Sequence, residues 1–239
     1  MRIRTILLPL LLWIISASLS TSLASEITPA GERLAAVLDS MHVEQLWLAG
    51  RQVDWRTGEP NGKVYTNSLS HTHCSAFAAA AAEKLGVYLL HPPEHSAVLL
   101  ANAQQTWLCG SGTNEGWHLV TSPLEAQQLA NKGELVVITC KNPDPARPGH
   151  IAIVRPSTKG DAEILADGPE IIQAGAHNYS HATTREGFKN HPGAFKNHQL
   201  MIFSHPISLP KTTVSAPAEN KFGNLQSSQP SVSGLSPAK

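Results

Sequence analysis

Apolar positions along the chain recur with two different periods, and the period changes near residue 133. Leu34, Val37, Leu38 and Met41 return at helical spacing, which predicts a helix over residues 29–41. Residues 74–85 form an alanine-rich stretch that also reads as a helix, with Gly86 where a C-terminal cap belongs. Residues 96–108 are a third helical candidate. Ser122-Pro123-Leu124-Glu125 is a capping box with proline at the first helical position, and the helix it opens should end near Asn131, before Gly133. Beyond that point short apolar or β-branched runs bounded by Gly, Pro, Lys or Asn predict strands at 135–139, 151–154, 171–173 and 200–203. Residues 161–168 read as a short helix stopped by Gly168, and 50–73, rich in Gly, Asn and Thr, as a loop. Helices followed by strands predict an α+β domain with an antiparallel sheet.

The two ends fall outside that pattern. Arg2 and Arg4 precede an apolar run, and Ser22 and Ala24 supply the small residues of a cleavage site, so residues 1–24 are expected to be a secretory signal. The run is shorter than the roughly 20 apolar residues that span a bilayer, which argues against a membrane anchor. Residues 208–239 are dominated by Ser, Pro, Thr, Ala, Asn and Gln, with Phe222 their one aromatic side chain, and are expected to be a disordered tail. One domain, residues 26–207, remains, with a periplasmic or secreted location. Of 239 residues, 18 are basic and 18 acidic, which speaks against a nucleic-acid surface because phosphate binding needs clustered Lys and Arg.

Export makes the 3 cysteines informative. Cys74 stands at the start of its predicted helix, after Ser70-His71-Thr72-His73, where unpaired N–H groups and the helix dipole favour a thiolate and lower the thiol pKa. His150 opens the strand Gly149-His150-Ile151-Ala152-Ile153-Val154 directly after a Pro-Gly turn signal, rigidly held as a general base must be. Cys109 and Cys140 are then an inert pair or a disulfide, leaving one odd, free thiol.

Cys74 at a helix start, Gly133-Glu134-Leu135-Val136-Val137, and the strand carrying His150 together resemble the papain-like cell-wall hydrolases, the NlpC-type peptidases and CHAP amidases. The resemblance covers about residues 65–205. It implies a nucleophile helix packed on an antiparallel sheet, and cleavage of amide bonds in peptidoglycan peptides without a cofactor. Three departures stand out: His73-Cys74-Ser75 replaces the family's Asp-Cys-Ser step, Gly133-Glu134 replaces its Gly-Asp, and the segment from Glu94 to Asn131 is longer than expected between the cysteine helix and the first strand. The resemblance also implies a third residue on the strand after the histidine strand. Gln173 is favoured there, with Asp167 and Asn178 as alternatives, Asp167 requiring residues 157–160 to close a tight hairpin. An oxyanion would be held by the Cys74 N–H and one upstream donor, Tyr65 or His73.

Each assignment has a structural counterpart. A cysteine at a helix start can be a small core residue, and His150 a satisfied structural histidine. His71 and His73 beside Cys74, with His177, His181, His191 and His198 later, raise a zinc reading, but their spacing matches no closed zinc pattern and no His-Glu-x-x-His occurs, so neither metal nor cofactor is expected. Trp107 and Trp117 flank the glycine-rich segment after Cys109, as groove walls or core anchors. The chain therefore reads as a Cys74–His150–Gln173 hydrolase, with a non-catalytic cell-wall binding domain or a His/Cys metal-binding periplasmic protein as competing classes.

Overall fold

The computed structural model describes residues 26–66 and 71–208, all within the first of two units, Met1–Leu209. The expected export signal and residues 209–239 of the expected tail lie outside the described residues. Helix α1 (Pro29–Asp39) begins where Thr28 Oγ1 accepts from the Gly31 N–H at 3.2 Å and proline occupies the first turn. Strands β1 (Arg51–Val53) and β2 (Pro60–Val64) pair antiparallel inside the stretch expected to be a loop. Every residue of β2 is exposed, so no buried face imposed an apolar alternation that could mark it.

Helix α2 (Cys74–Lys84) ends at a left-handed Gly86, as its sequence implies. Helix α3 (Leu100–Leu108) starts later than residue 96 because Leu99 sits at φ 57°, outside helical space. A short 3-10 turn (Ser111–Glu115) and β3 (His118–Val120) follow. Helix α4 (Pro123–Asn131) is capped by Ser122, whose Oγ accepts from the Glu125 N–H at 3.4 Å. Then come β4 (Leu135–Cys140), β5 (His150–Val154), α5 (Asp161–Asp167), β6 (Glu170–Gln173) and β7 (Tyr179–Thr183). Two single-turn helices, α6 (Thr184–Gly187) and α7 (Gly193–Lys196), precede β8 (Met201–His205).

Six strands form one sheet in the order β3-β8-β4-β5-β6-β7, each neighbouring pair antiparallel. The expected mixture of helices with an antiparallel sheet is present. Phe77 and Ala76, Ala78, Ala80, Ala81 and Ala82 of α2 share one apolar cluster with Ile151, Ile153, Ile172 and Ala174. Alternate residues of the same strands, Ala152, Val154 and Ile171, join Ala126, Ala130 and Phe188 in a second. Covered on both faces, β4 and β5 are buried at every residue, which is why each reads as an almost unbroken apolar run. Small side chains let α2 lie close to the sheet, and all nine residues from Cys74 to Ala82 are buried. Among the described residues no helix is long and apolar enough to cross a membrane.

Candidate active site

The Pro-Gly turn ahead of β5 is tightly packed: a Cβ on Gly149 would collide with Asn102 Oδ1 and the Cys140 carbonyl, so only glycine fits. His150 follows it, buried to 5% exposure. Helix α5 takes up the chain after β5 and stops at Gly168, φ 80°, so that Glu170–Gln173 becomes the neighbouring strand. His150 Nε2 and Gln173 Oε1 lie 2.7 Å apart. Gln173 Nε2 donates to the His177 carbonyl at 3.3 Å, which fixes the amide with its oxygen toward the ring. His150 Nε2 is then the donor, and in the neutral ring Nδ1 carries the lone pair. Nδ1 makes no hydrogen bond among the described residues.

The ring is held from two further sides. Phe188 meets it edge-on at 4.7 Å between centroids, and His191 stacks on it at 5.3 Å and 12°. Gly187 permits the approach of the amide, since a Cβ there would stand 2.6 Å from Gln173 Oε1.

Cys74 arrives from the α2 side. The Arg155 N–H donates to the Glu170 carbonyl at 2.9 Å, and antiparallel alternation points the Ile153 and Ile151 N–H groups to the same edge of β5. The β5–β6 ladder stops at the pair Ile153–Ile172, leaving the Ile151 N–H one step beyond it. There it meets the Cys74 sulfur, which the N–H groups of Ser75 and Cys74 also face. The thiol thus sits against the residue that follows His150. Among the described residues no hydrogen bond joins the thiol to the His150 ring.

Burial dominates the electrostatics. It pushes the Cys74 thiol up from its ordinary value, against the opposing pull of the three N–H groups. The lowered thiol expected from the helix N-terminus is therefore reversed, because desolvation of a sulfur buried among apolar side chains outweighs the nearby donors. Burial also holds the His150 imidazole down to about 4, although its bond to Gln173 acts the other way. His191 is lowered to about 4 by burial first, then by repulsion from His150 and Arg147. Near neutral pH the arrangement is a neutral thiol and a neutral imidazole, the second of which can accept a proton.

An open cavity of about 450 Å³ reaches His150 and Gln173 and is also lined by Thr72, Arg147, Lys189 and His191. Asp167 and Asn178 do not reach the ring. Asp167 pairs with Arg185 at 2.7 Å, and Asn178 Nδ2 donates to the carbonyls of Val43 and Leu46 at 2.6 and 2.9 Å. His73 Nε2 is committed to the Arg51 carbonyl at 2.8 Å, while Tyr65 stacks on His71 with centroids 3.5 Å apart. Cys109 and Cys140 are both free thiols, one exposed and one buried, so the disulfide alternative is absent. Trp117 is fully buried, its indole N–H donating to the Tyr88 carbonyl at 2.9 Å, as a core anchor does.

The histidines singled out for zinc are dispersed: His181 pairs with Glu170 at 2.6 Å and His191 belongs to the His150 stack. Among the described residues no three His, Cys, Asp or Glu side chains form a group that could hold a metal. Sequence reasoning missed the roles of His191, Phe188, Gly187 and Arg147. Only His191 carried a signal, and it was diluted among neighbouring histidines. No protein-family model matches the chain, and a search of curated proteins finds no significant match.

Proposed function

We propose that the chain is an exported cysteine hydrolase of papain-like architecture that cleaves amide bonds, with peptidoglycan stem peptides as its substrate. The observation that carries this reading is the buried 2.7 Å hydrogen bond that His150 Nε2 donates to Gln173 Oε1, which leaves Nδ1 open at the strand end where the α2 cysteine arrives. On substrate binding the Cys74 thiol turns toward Nδ1, gives up its proton to the imidazole, and its sulfur attacks the amide carbonyl. The tetrahedral oxyanion is met by N–H groups at the start of α2, where no side chain caps the helix. Collapse breaks the C–N bond, the imidazolium returns its proton to the leaving amine, and a thioester remains on Cys74. Water, deprotonated by His150, attacks the thioester carbonyl; the C–S bond breaks, the carboxylic acid leaves, and the imidazolium returns its proton to the Cys74 thiolate. Gln173 keeps the ring oriented throughout as a positioning residue.

Peptidoglycan is proposed on the expected export signal and the family resemblance. Digestion of purified peptidoglycan by the full chain, with mass spectrometry of the products, tests it: new peptide fragments are expected from the wild type and none from Cys74→Ala. Identical product profiles for the two proteins would remove this function. A second reading, a cell-wall binding domain of the same fold without chemistry, is favoured by the missing thiol–imidazole bond. It predicts retention on peptidoglycan with no Cys74-dependent product.

A further inference from the structure

The cavity beside His150 carries a positive charge that no ion pair among the described residues neutralises. Two cationic side chains, Arg147 and Lys189, line it together with a single carboxylate, Glu186. Glu186 is already engaged, bound by Lys189 Nζ at 2.5 Å and by the Tyr179 hydroxyl at 2.9 Å. The Arg147 guanidinium has no ion pair or hydrogen bond among the described residues. Its charge is nonetheless close enough to His191 to oppose protonation of that ring.

The backbone that carries Arg147 is held firmly. Asn102, a buried residue of α3, donates through Nδ2 to the Arg147 carbonyl at 2.8 Å and accepts the Asn142 N–H at 3.0 Å. Asn142 in turn donates through Nδ2 to the Pro148 carbonyl at 3.1 Å. One buried amide therefore ties both arms of the loop that leads into His150, and the guanidinium is presented from a fixed base three residues before the imidazole. A planar cation with five donors, anchored through its backbone and unpaired at its head, suits a carboxylate better than any neutral group.

We infer that Arg147 makes this cavity a subsite for a carboxylate, so that the amide cut at Cys74 belongs to a substrate bearing a negative charge next to the scissile bond. This rests on the hydrolase reading above and adds the substrate's charge to it.

Iodoacetate and iodoacetamide probe the subsite without an identified substrate, because they differ in having a carboxylate or a neutral amide on the same alkylating carbon. The ratio of their rates at Cys74 is read by peptide mass spectrometry on the full chain, with exposed Cys109 as the internal reference. The iodoacetate-to-iodoacetamide ratio at Cys74 is expected to exceed that at Cys109 by about tenfold, as a charge-assisted contact gives. It should fall to the Cys109 value in Arg147→Gln and stay above it in Arg147→Lys. Equal ratios at the two cysteines, or a Cys74 ratio untouched by Arg147→Gln, would overturn the carboxylate subsite while leaving the hydrolase reading intact. A Cys74 inert to both reagents would overturn the hydrolase reading and the subsite with it.

Discussion

Two buried glutamines hold opposite ends of the β5–β6 strand pair, and they are used in opposite ways. Gln127, on α4, donates through Nε2 to Asn131 Oδ1 at 3.0 Å and to the Arg155 carbonyl at 2.8 Å, and accepts the Glu170 N–H at 2.9 Å. Asn131 continues the network, accepting from the Ser157 N–H and donating to the Ser157 carbonyl at 2.9 and 2.8 Å. This set ties α4 to both ends of the β5–β6 connection, and each polar atom of the two amides has a partner. Gln173 is also doubly bonded, but its network runs out at His150 Nδ1, which has no hydrogen-bond partner among the described residues. A closed network fixes register; an open one, in a buried site beside a thiol, leaves an atom free for chemistry.

Substitution separates the two roles. On the proposed function, Gln173→Ala should lower the turnover of a peptidoglycan substrate by about 100-fold, while Gln173→Glu, keeping the shape, should restore part of it. The carboxylate in Gln173→Glu stabilises the imidazolium, so the acid limb of the activity profile should move up from about 4 toward neutrality. A simple packing role for Gln173 would move no limb.

Gln127→Ala strands the Glu170 N–H and the acceptors it served, and should cost about 2–4 kcal/mol in a denaturation experiment with activity per folded molecule retained. Loss of activity without loss of stability in that variant would erase the distinction between the two amides.

A smaller effect comes from acid. His150 and His191 both have folded values of about 4, below the unfolded value of about 6.5, so between these limits unfolding takes up protons. Their contribution to stability is complete above about pH 6.5 and is lost as pH falls through the folded values. Unfolding free energy should fall toward acid with a slope approaching about 1.4 kcal/mol per pH unit for each ring, and His191→Gln should remove one share.

The helices and central strands were legible because burial on one or both faces leaves an apolar signature: α2 and β5 appear nearly where their residues place them. The pairing of His150 with Gln173 was legible only with the resemblance, which implies a third residue on the strand after the histidine strand; Gly168, marking the stop of α5, then sets which strand lies next to β5. β1 and β2 were invisible because every residue of β2 is exposed and β1 turns only Val53 partly into the core, so neither buries an alternating stripe. The thiol's raised pKa was hidden too, since the helix start could be seen in the sequence but the enclosure of the sulfur by distant side chains could not. Arg147 and His191 acquire meaning only from residues far along the chain, Asn102 and His150, that fold beside them.

The central claim is that the open nitrogen of His150 serves Cys74. Cys140 offers an internal standard, because it is as buried as Cys74, at 3% against 5% exposure, but lies on a strand and not at a helix start. The direct measurement is the rate of iodoacetamide alkylation at each cysteine near neutral pH, in the wild type and in His150→Ala. Cys74 is expected to react about 100-fold faster than Cys140, and to lose most of that advantage in His150→Ala. A Cys74 as slow as Cys140 in the wild type, or one indifferent to His150, would contradict it.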